Sequence, residues 1–257
     1  MKIKKVYIIL IAILIIFGVI MFLVFGLDEL RKESYDTTLV VGNDTIWTYK
    51  NKRWNNLSSS DEINWNKFDI YSDNVMIGNY YLWYSDGWYV FDNSKNAITL
   101  DGELLGVDSN LDISVYNFST SEIDNYSYVY EVLRDNNLPI SSEYTSSEKL
   151  LFDFDNDGVE EEFYLVTNAF PEGFDPEKIF SIVFMVKDEE IYIIYNDISD
   201  NTGYNGCKPY FNSFIDIDED SKYEVILSCA KYSTNGINKT LYEFKDKQFK
   251  KLISNNK

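Results

Sequence analysis

Two acidic stretches, beginning at Asp153 and Asp216, constrain this chain more than any other feature. The first reads Phe152-Asp153-Phe154-Asp155-Asn156-Asp157-Gly158-Val159-Glu160-Glu161. The second reads Ile215-Asp216-Ile217-Asp218-Glu219-Asp220-Ser221-Lys222-Tyr223-Glu224. Counted from the first Asp, both carry acids at positions 1, 3, 5 and 9. Apolar runs follow each, 163–166 and 225–227, and then a hairpin-like stretch. That stretch is Val186-Lys187-Asp188 through Ile191 in one copy and Phe244-Lys245-Asp246 through Phe249 in the other. The repeating unit is therefore a loop with several strands. A looser repeat precedes it. Ile46-Trp47-Thr48-Tyr49, a turn and Trp54 match Leu82-Trp83-Tyr84, the turn Ser85-Asp86-Gly87 and Trp88. Asp-Gly is a favoured hairpin turn. Aromatic and β-branched residues broken by frequent turn signals predict a mainly β chain. Its antiparallel repeats would be propeller-like or sandwich-like, with one intervening helix.

The loop spacing has a chemical reason. Calcium takes six to eight oxygens at about 2.3–2.6 Å. Alternate carboxylates in a tight loop converge on one centre, which points to Asp153, Asp155 and Asp157, and to Asp216, Asp218 and Asp220. A carbonyl at position 7, from Val159 or Lys222, joins them, and Glu161 or Glu224 closes the shell. Gly158 permits the sharp turn in the first loop, where the second has Ser221. An EF-hand is excluded, because it needs Glu at position 12, here Tyr164 and Leu227. Up to two structural calcium ions are expected.

Over roughly residues 150–250 these loops resemble the FG-GAP/VCBS repeat family, the calcium-loop blades of integrin-α-like propellers. The resemblance rests on Asp153, Asp155, Asp157 and Glu161, and on Asp216, Asp218, Asp220 and Glu224. It implies calcium ligation by those side chains. Glu stands where the family usually ends the loop with Asp, and the Phe-Gly and Gly-Ala-Pro signatures are missing.

Residues Val6 to Gly26 carry no charge and are almost wholly apolar. At about 1.5 Å per residue such a run spans roughly 30 Å, a bilayer's hydrocarbon core. Lys2, Lys4 and Lys5 precede it, and acids dilute Arg31 and Lys32 after it, which places the N-terminus in the cytoplasm and the body outside. The sequence thus divides into a cytoplasmic tail (1–5), a transmembrane anchor (6–27), a linker (28–37), an aromatic-rich β domain (38–112) and a helix plus calcium-loop domain (113–257). A cleaved signal peptide is the rival reading, but Phe25-Gly26-Leu27-Asp28 offers no small-residue cleavage site.

The formal net charge of −19 repels phosphate backbones, so nucleic acid is not an expected partner. The absence of histidine removes Ser-His-Asp and Cys-His catalysis and the usual zinc sites. Outside the cytoplasm Cys207 and Cys229 are expected to form a disulfide. If the strands around the second loop pair about a midpoint near 220, each Cys lies a few residues from the other's partner, and a bulge or twist must close the gap.

A helix is expected between the two repeats. Ser121 and Asp124 resemble a capping pair, Ile123, Tyr126, Val129, Tyr130 and Leu133 recur at helical spacing, and Asn136, Asn137 and Pro139 end it. The tryptophans Trp47, Trp54, Trp65, Trp83 and Trp88 either fill a β core or form a platform that stacks on sugars. The favoured function is a binding or adhesion module for a glycan or protein ligand, anchored to the membrane. Alternatives are a glycan hydrolase using carboxylates such as Glu131 or Glu143, or a structural subunit of a membrane complex.

Overall fold

The structure is a computed structural model that describes residues 37–50, 53–57, 60–108, 113–140, 146–169, 178–200, 206–231 and 236–255. The expected membrane span lies outside the described residues, as does Glu143. Among the described residues no helix is long and apolar enough to cross a membrane.

The chain is mainly β, in three antiparallel sheets. The first contains β1 (Thr37–Val41), β2 (Thr45–Lys50), β3 (Arg53–Asn56), β4 (Lys67–Ser72), β5 (Val75–Tyr84), β6 (Trp88–Phe91), β7 (Ala97–Ile98) and β8 (Leu104–Asp108), in the order β3-β2-β1-β8-β4-β5-β6-β7. The two tryptophan repeats are the hairpins β2–β3 and β5–β6, on opposite sides of β8. β9 (Ser114–Tyr116) leads to the helix α1 (Ser127–Asp135). Two four-stranded meanders follow, β10 (Ser146–Phe152) to β13 (Glu190–Asp200) and β14 (Cys207–Asp216) to β17 (Gln248–Ser254), with β9 at the edge of the second. In the first, β11 spans Glu161–Thr167 and β12 Lys178–Lys187. In the second, β15 spans Glu224–Lys231 and β16 Ile237–Lys245.

The sheets stack face to face, and residue alternation shows why. In β15, Val225 and Leu227 face the first meander, while Ile226 faces the eight-stranded sheet. In β11, Phe163 and Leu165 join the core between the meanders, while Tyr164 and Val166 lie under α1. A strand buried on both faces reads as an unbroken apolar run, which is the sequence signature of these strands. Leu39, Val41 and Trp47 pack on Ile226 and Leu241, so the aromatic-rich segment and the loop-bearing segment share a core. Val40, Phe68, Ile70 and Leu82 form a further cluster on the opposite face of the eight-stranded sheet. Gly106 is needed there, because a Cβ would sit 3.1 Å from a Leu82 methyl and 3.3 Å from the Val40 Cβ.

The helix ends as expected and starts differently. Asn137 adopts a left-handed conformation, φ 53°. The Leu138 N–H donates to the Leu133 carbonyl and the Asn137 N–H to the Arg134 carbonyl, a Schellman closure. Ser121 and Asp124 do not cap it. Ser121 pairs with Lys149 as a β-bridge, and the Asp124 carboxylate accepts from Lys149 Nζ at 2.5 Å. A strand partner and a cation outcompete the helix for both side chains. Among the apolar positions, Val129 and Leu133 are buried under the helix with Val132, whereas Tyr130 is exposed.

Trp47 is fully buried and its Nε1 donates to Asn56 Oδ1 at 3.0 Å. Trp65 is exposed, and Trp54, Trp83 and Trp88 are half-buried, so the tryptophans divide between core and surface.

Candidate metal centre

Each meander places its acidic loop between its first and second strands, and the two loops have the same internal bonding. In the first, Asp153 accepts from the N–H groups of Asp157 and Gly158 at 2.9 Å each, and Asp157 accepts from Val159 at 2.9 Å. In the second, Asp216 accepts from Asp220 and Ser221 at 3.0 Å each, and Asp220 accepts from Lys222 at 3.0 Å. The closing acids match too. Glu161 accepts from the Phe154 N–H at 2.7 Å, and Glu224 from the Ile217 N–H at 2.9 Å. Left-handed residues recur at positions 4 and 6, namely Asn156 (φ 54°) and Gly158 (φ 89°), then Glu219 (φ 56°) and Ser221 (φ 67°). Ser221 therefore adopts the turn that Gly158 adopts, at a steric cost glycine avoids.

The loops touch each other. Asn156 Nδ2 donates to the Ser221 carbonyl at 2.6 Å, and the Tyr223 N–H donates to the Phe154 carbonyl at 3.2 Å. Phe152, Phe154 and Phe163 sit beneath them in the shared core, with Phe214 and Tyr223 packed against Phe152.

Carboxylate oxygens of Asp216, Asp218 and Asp220 lie within 4.8 Å of one another, as do those of Asp153, Asp155 and Glu161. Two oxygens on opposite sides of a calcium ion are separated by about 4.6–5.2 Å, twice the bond length, so both groups have the right scale. An all-oxygen donor set suits calcium, magnesium or manganese rather than zinc. Of the expected side-chain ligands, Asp157 and Glu224 fall outside these two sets, although the charges of Asp218, Asp220 and Asp216 act on the Glu224 carboxyl.

The electrostatics of the two loops differ. In the first, Lys187 Nζ lies 3.1 Å from Asp155 Oδ1, 2.8 Å from Asp157 Oδ2 and 2.5 Å from Glu161 Oε1. Burial works against the Lys187 charge, but Asp157, Glu161 and Asp155 outweigh it and hold the ammonium above the ordinary lysine range. Burial raises the Glu161 carboxyl, and the Lys187 bond opposes that rise. In the second loop, Glu224 is 4% exposed. Burial pushes its carboxyl well above the usual range, the Ile217 N–H opposes this, and Asp218, Asp220 and Asp216 add to the rise. Burial raises Asp216 as well. Glu224 has no ion-pair partner among the described residues.

Lys187 is a site residue that sequence spacing placed only in a hairpin. Aligning the two hairpin turns makes Lys187 equivalent to Lys245. Both turns are built from two left-handed residues, Asp188-Glu189 and Asp246-Lys247. Strand register gives a different equivalence. The ladder Glu162↔Val186 sets Glu161 beside Lys187, and the ladder Val225↔Tyr242, carried one step on, sets Glu224 beside Glu243. The second hairpin runs two residues further past its loop, so Lys245 is 61% exposed and pairs with Glu243 at 3.7 Å.

Cys207 and Cys229 are joined as a disulfide, with Cα atoms 5.5 Å apart. The strand register is Ile215↔Glu224, then Pro209↔Cys229 and Cys207↔Lys231 after a shift between Phe211 and Ser213. That bulge narrows the offset between the two cysteines from three residues to two. The Tyr195 hydroxyl lies 3.4 Å from Cys207 Sγ, on the first meander's side of the core.

Glu131 lies on α1 and lines a shallow cleft of about 530 Å³ with Asp135, Glu189 and Glu190, apart from the loops. Compared with family models, curated proteins and solved structures, the chain matches none.

Proposed function

We propose that this chain is a membrane-anchored, extracytoplasmic binding module whose β-repeat body is stabilised by calcium. The observation that carries the reading is Glu224. It is a buried carboxylate without an ion-pair partner among the described residues, at the closing position of a loop built from Asp216, Asp218 and Asp220. Leaving such a group charged is costly, and a bound divalent cation removes that cost. The residues fit calcium in donor type and spacing, with Lys222 at the position that offers a carbonyl. On this reading the meanders are FG-GAP/VCBS-type units arranged as an open, propeller-like stack. The apolar run 6–27 would carry them outside the cell membrane.

The ligand we propose is a glycan. Strand alternation puts Tyr81, Trp83, Tyr89 and Phe91 on one face of the β5–β6 hairpin. Trp83 lies 5.8 Å from Tyr89, and the exposed Trp65 lies 5.2 Å from Phe91. Half-exposed aromatic rings in a row offer flat apolar faces that match the C–H face of a pyranose. A glycan screen of the full chain, with calcium and with chelator, tests this. Binding that falls on Trp83→Ala and Tyr89→Ala supports the aromatic face, and unchanged binding removes it.

A further inference from the structure

The two loops share a backbone conformation and differ in the charge that the neighbouring strand sets beside the closing glutamate. In the first loop that charge is Lys187, whose ammonium is held by Asp155, Asp157 and Glu161 within 3.1 Å. In the second it is Glu243. The Lys187 side chain is 16% exposed and the Glu161 side chain 1%, so the contact is largely withdrawn from water. The ammonium thus takes up Asp155 and Glu161, two of the three carboxylates (with Asp153) that could hold a divalent ion in this loop, and Asp157 beside them.

We propose that Lys187 is the resident cation of the first loop, so that the chain binds one divalent ion rather than two. The ammonium offers three N–H donors, and the loop supplies three carboxylate acceptors. A divalent ion entering this loop must first expel the ammonium from three charge-assisted bonds and then share its ligands with a tethered positive charge. The second loop has Glu243 at that position, so no tethered ammonium stands there in the way of an ion. The register explains the difference, because the longer second hairpin carries Lys245 past the loop. Occupancy of the second loop rests on the function proposed above, whereas the role of Lys187 does not.

Calcium titration of the full chain by calorimetry, with terbium luminescence as a second probe, tests the proposal. The wild type should bind one ion. Lys187→Met should bind two, and calcium should restore the thermal stability that this variant loses in chelator. Glu224→Gln should bind none, and the double variant one. A wild type binding none with Lys187→Met binding one would overturn the second-loop site and leave the lysine assignment standing. Two ions on the wild type would overturn the lysine assignment. So would a folded Lys187→Met that gains no ion. Amine acylation followed by mass mapping needs no variant. Lys187 should stay protected in both calcium and chelator, and labelling that appears only in calcium would show that the ion displaces it.

Discussion

Glu224→Gln should produce opposite effects in chelator and in calcium. Glutamine keeps the shape and one oxygen to accept from the Ile217 N–H, 2.9 Å away, but it carries no charge. The net penalty for burying an ion is several kcal/mol after relaxation. The bond to Ile217 returns about 1.5–3 kcal/mol of that as a charge-assisted contact. Without divalent cation the variant should therefore be more stable than wild type, by about 1–3 kcal/mol or roughly 2–12 °C in Tm. In calcium the order should close or reverse. Wild type gains about 2.7 kcal/mol at a hundredfold excess of free ion over Kd, and the variant has lost the closing ligand. Differential scanning calorimetry of both proteins in chelator and in calcium reads the four values. A variant that is less stable than wild type in chelator, or that keeps the full calcium shift, would refute the view that Glu224 is a buried charge awaiting a cation.

Other consequences follow from the same geometry. Lys187→Met should cost about 3 kcal/mol in chelator, towards the lower end for breaking a buried ion pair because the site is partly exposed, as read by urea denaturation. Ser221→Gly should stabilise by about 0.5–1 kcal/mol, since φ 67° strains serine and not glycine, whereas Gly158→Ala should destabilise to a similar extent. Reducing the disulfide should lower stability by about 3.4 kcal/mol, the loop-closure value for a separation of 22 residues, as measured by Tm with and without reductant. The pH dependence has a definite sign. A carboxyl raised by folding adds stability that is full below its unfolded value and disappears as pH rises through its folded value. Glu224, Asp216 and Glu161 are all raised. In chelator, stability should therefore fall as pH climbs above the ordinary glutamate value of about 4.3, and calcium should flatten that fall.

The β architecture was legible where local chemistry decides it. Unbroken apolar runs such as 163–166 mark strands buried on both faces, and the twin loops announce themselves by acid spacing. Asn137 ended the helix because a left-handed residue was needed there, and asparagine tolerates that conformation. What depended on long-range competition was not legible. Ser121 and Asp124 carry the composition of a cap, but Lys149 claims both. Lys187 and Lys245 look equivalent beside their turns, and only the strand ladders show that Glu243 holds the Lys187 position. The cysteine offset likewise needed a bulge whose place, between Phe211 and Ser213, no local residue preference fixes.

The most direct measurement is a crystal structure of the protein grown in calcium, with anomalous scattering used to locate the metal. The account predicts one calcium peak within bonding distance of Asp216, Asp218, Asp220 and Glu224, and Lys187 Nζ still bound to Asp155, Asp157 and Glu161. A second loop that keeps its carboxylates without a metal peak under saturating calcium would contradict it.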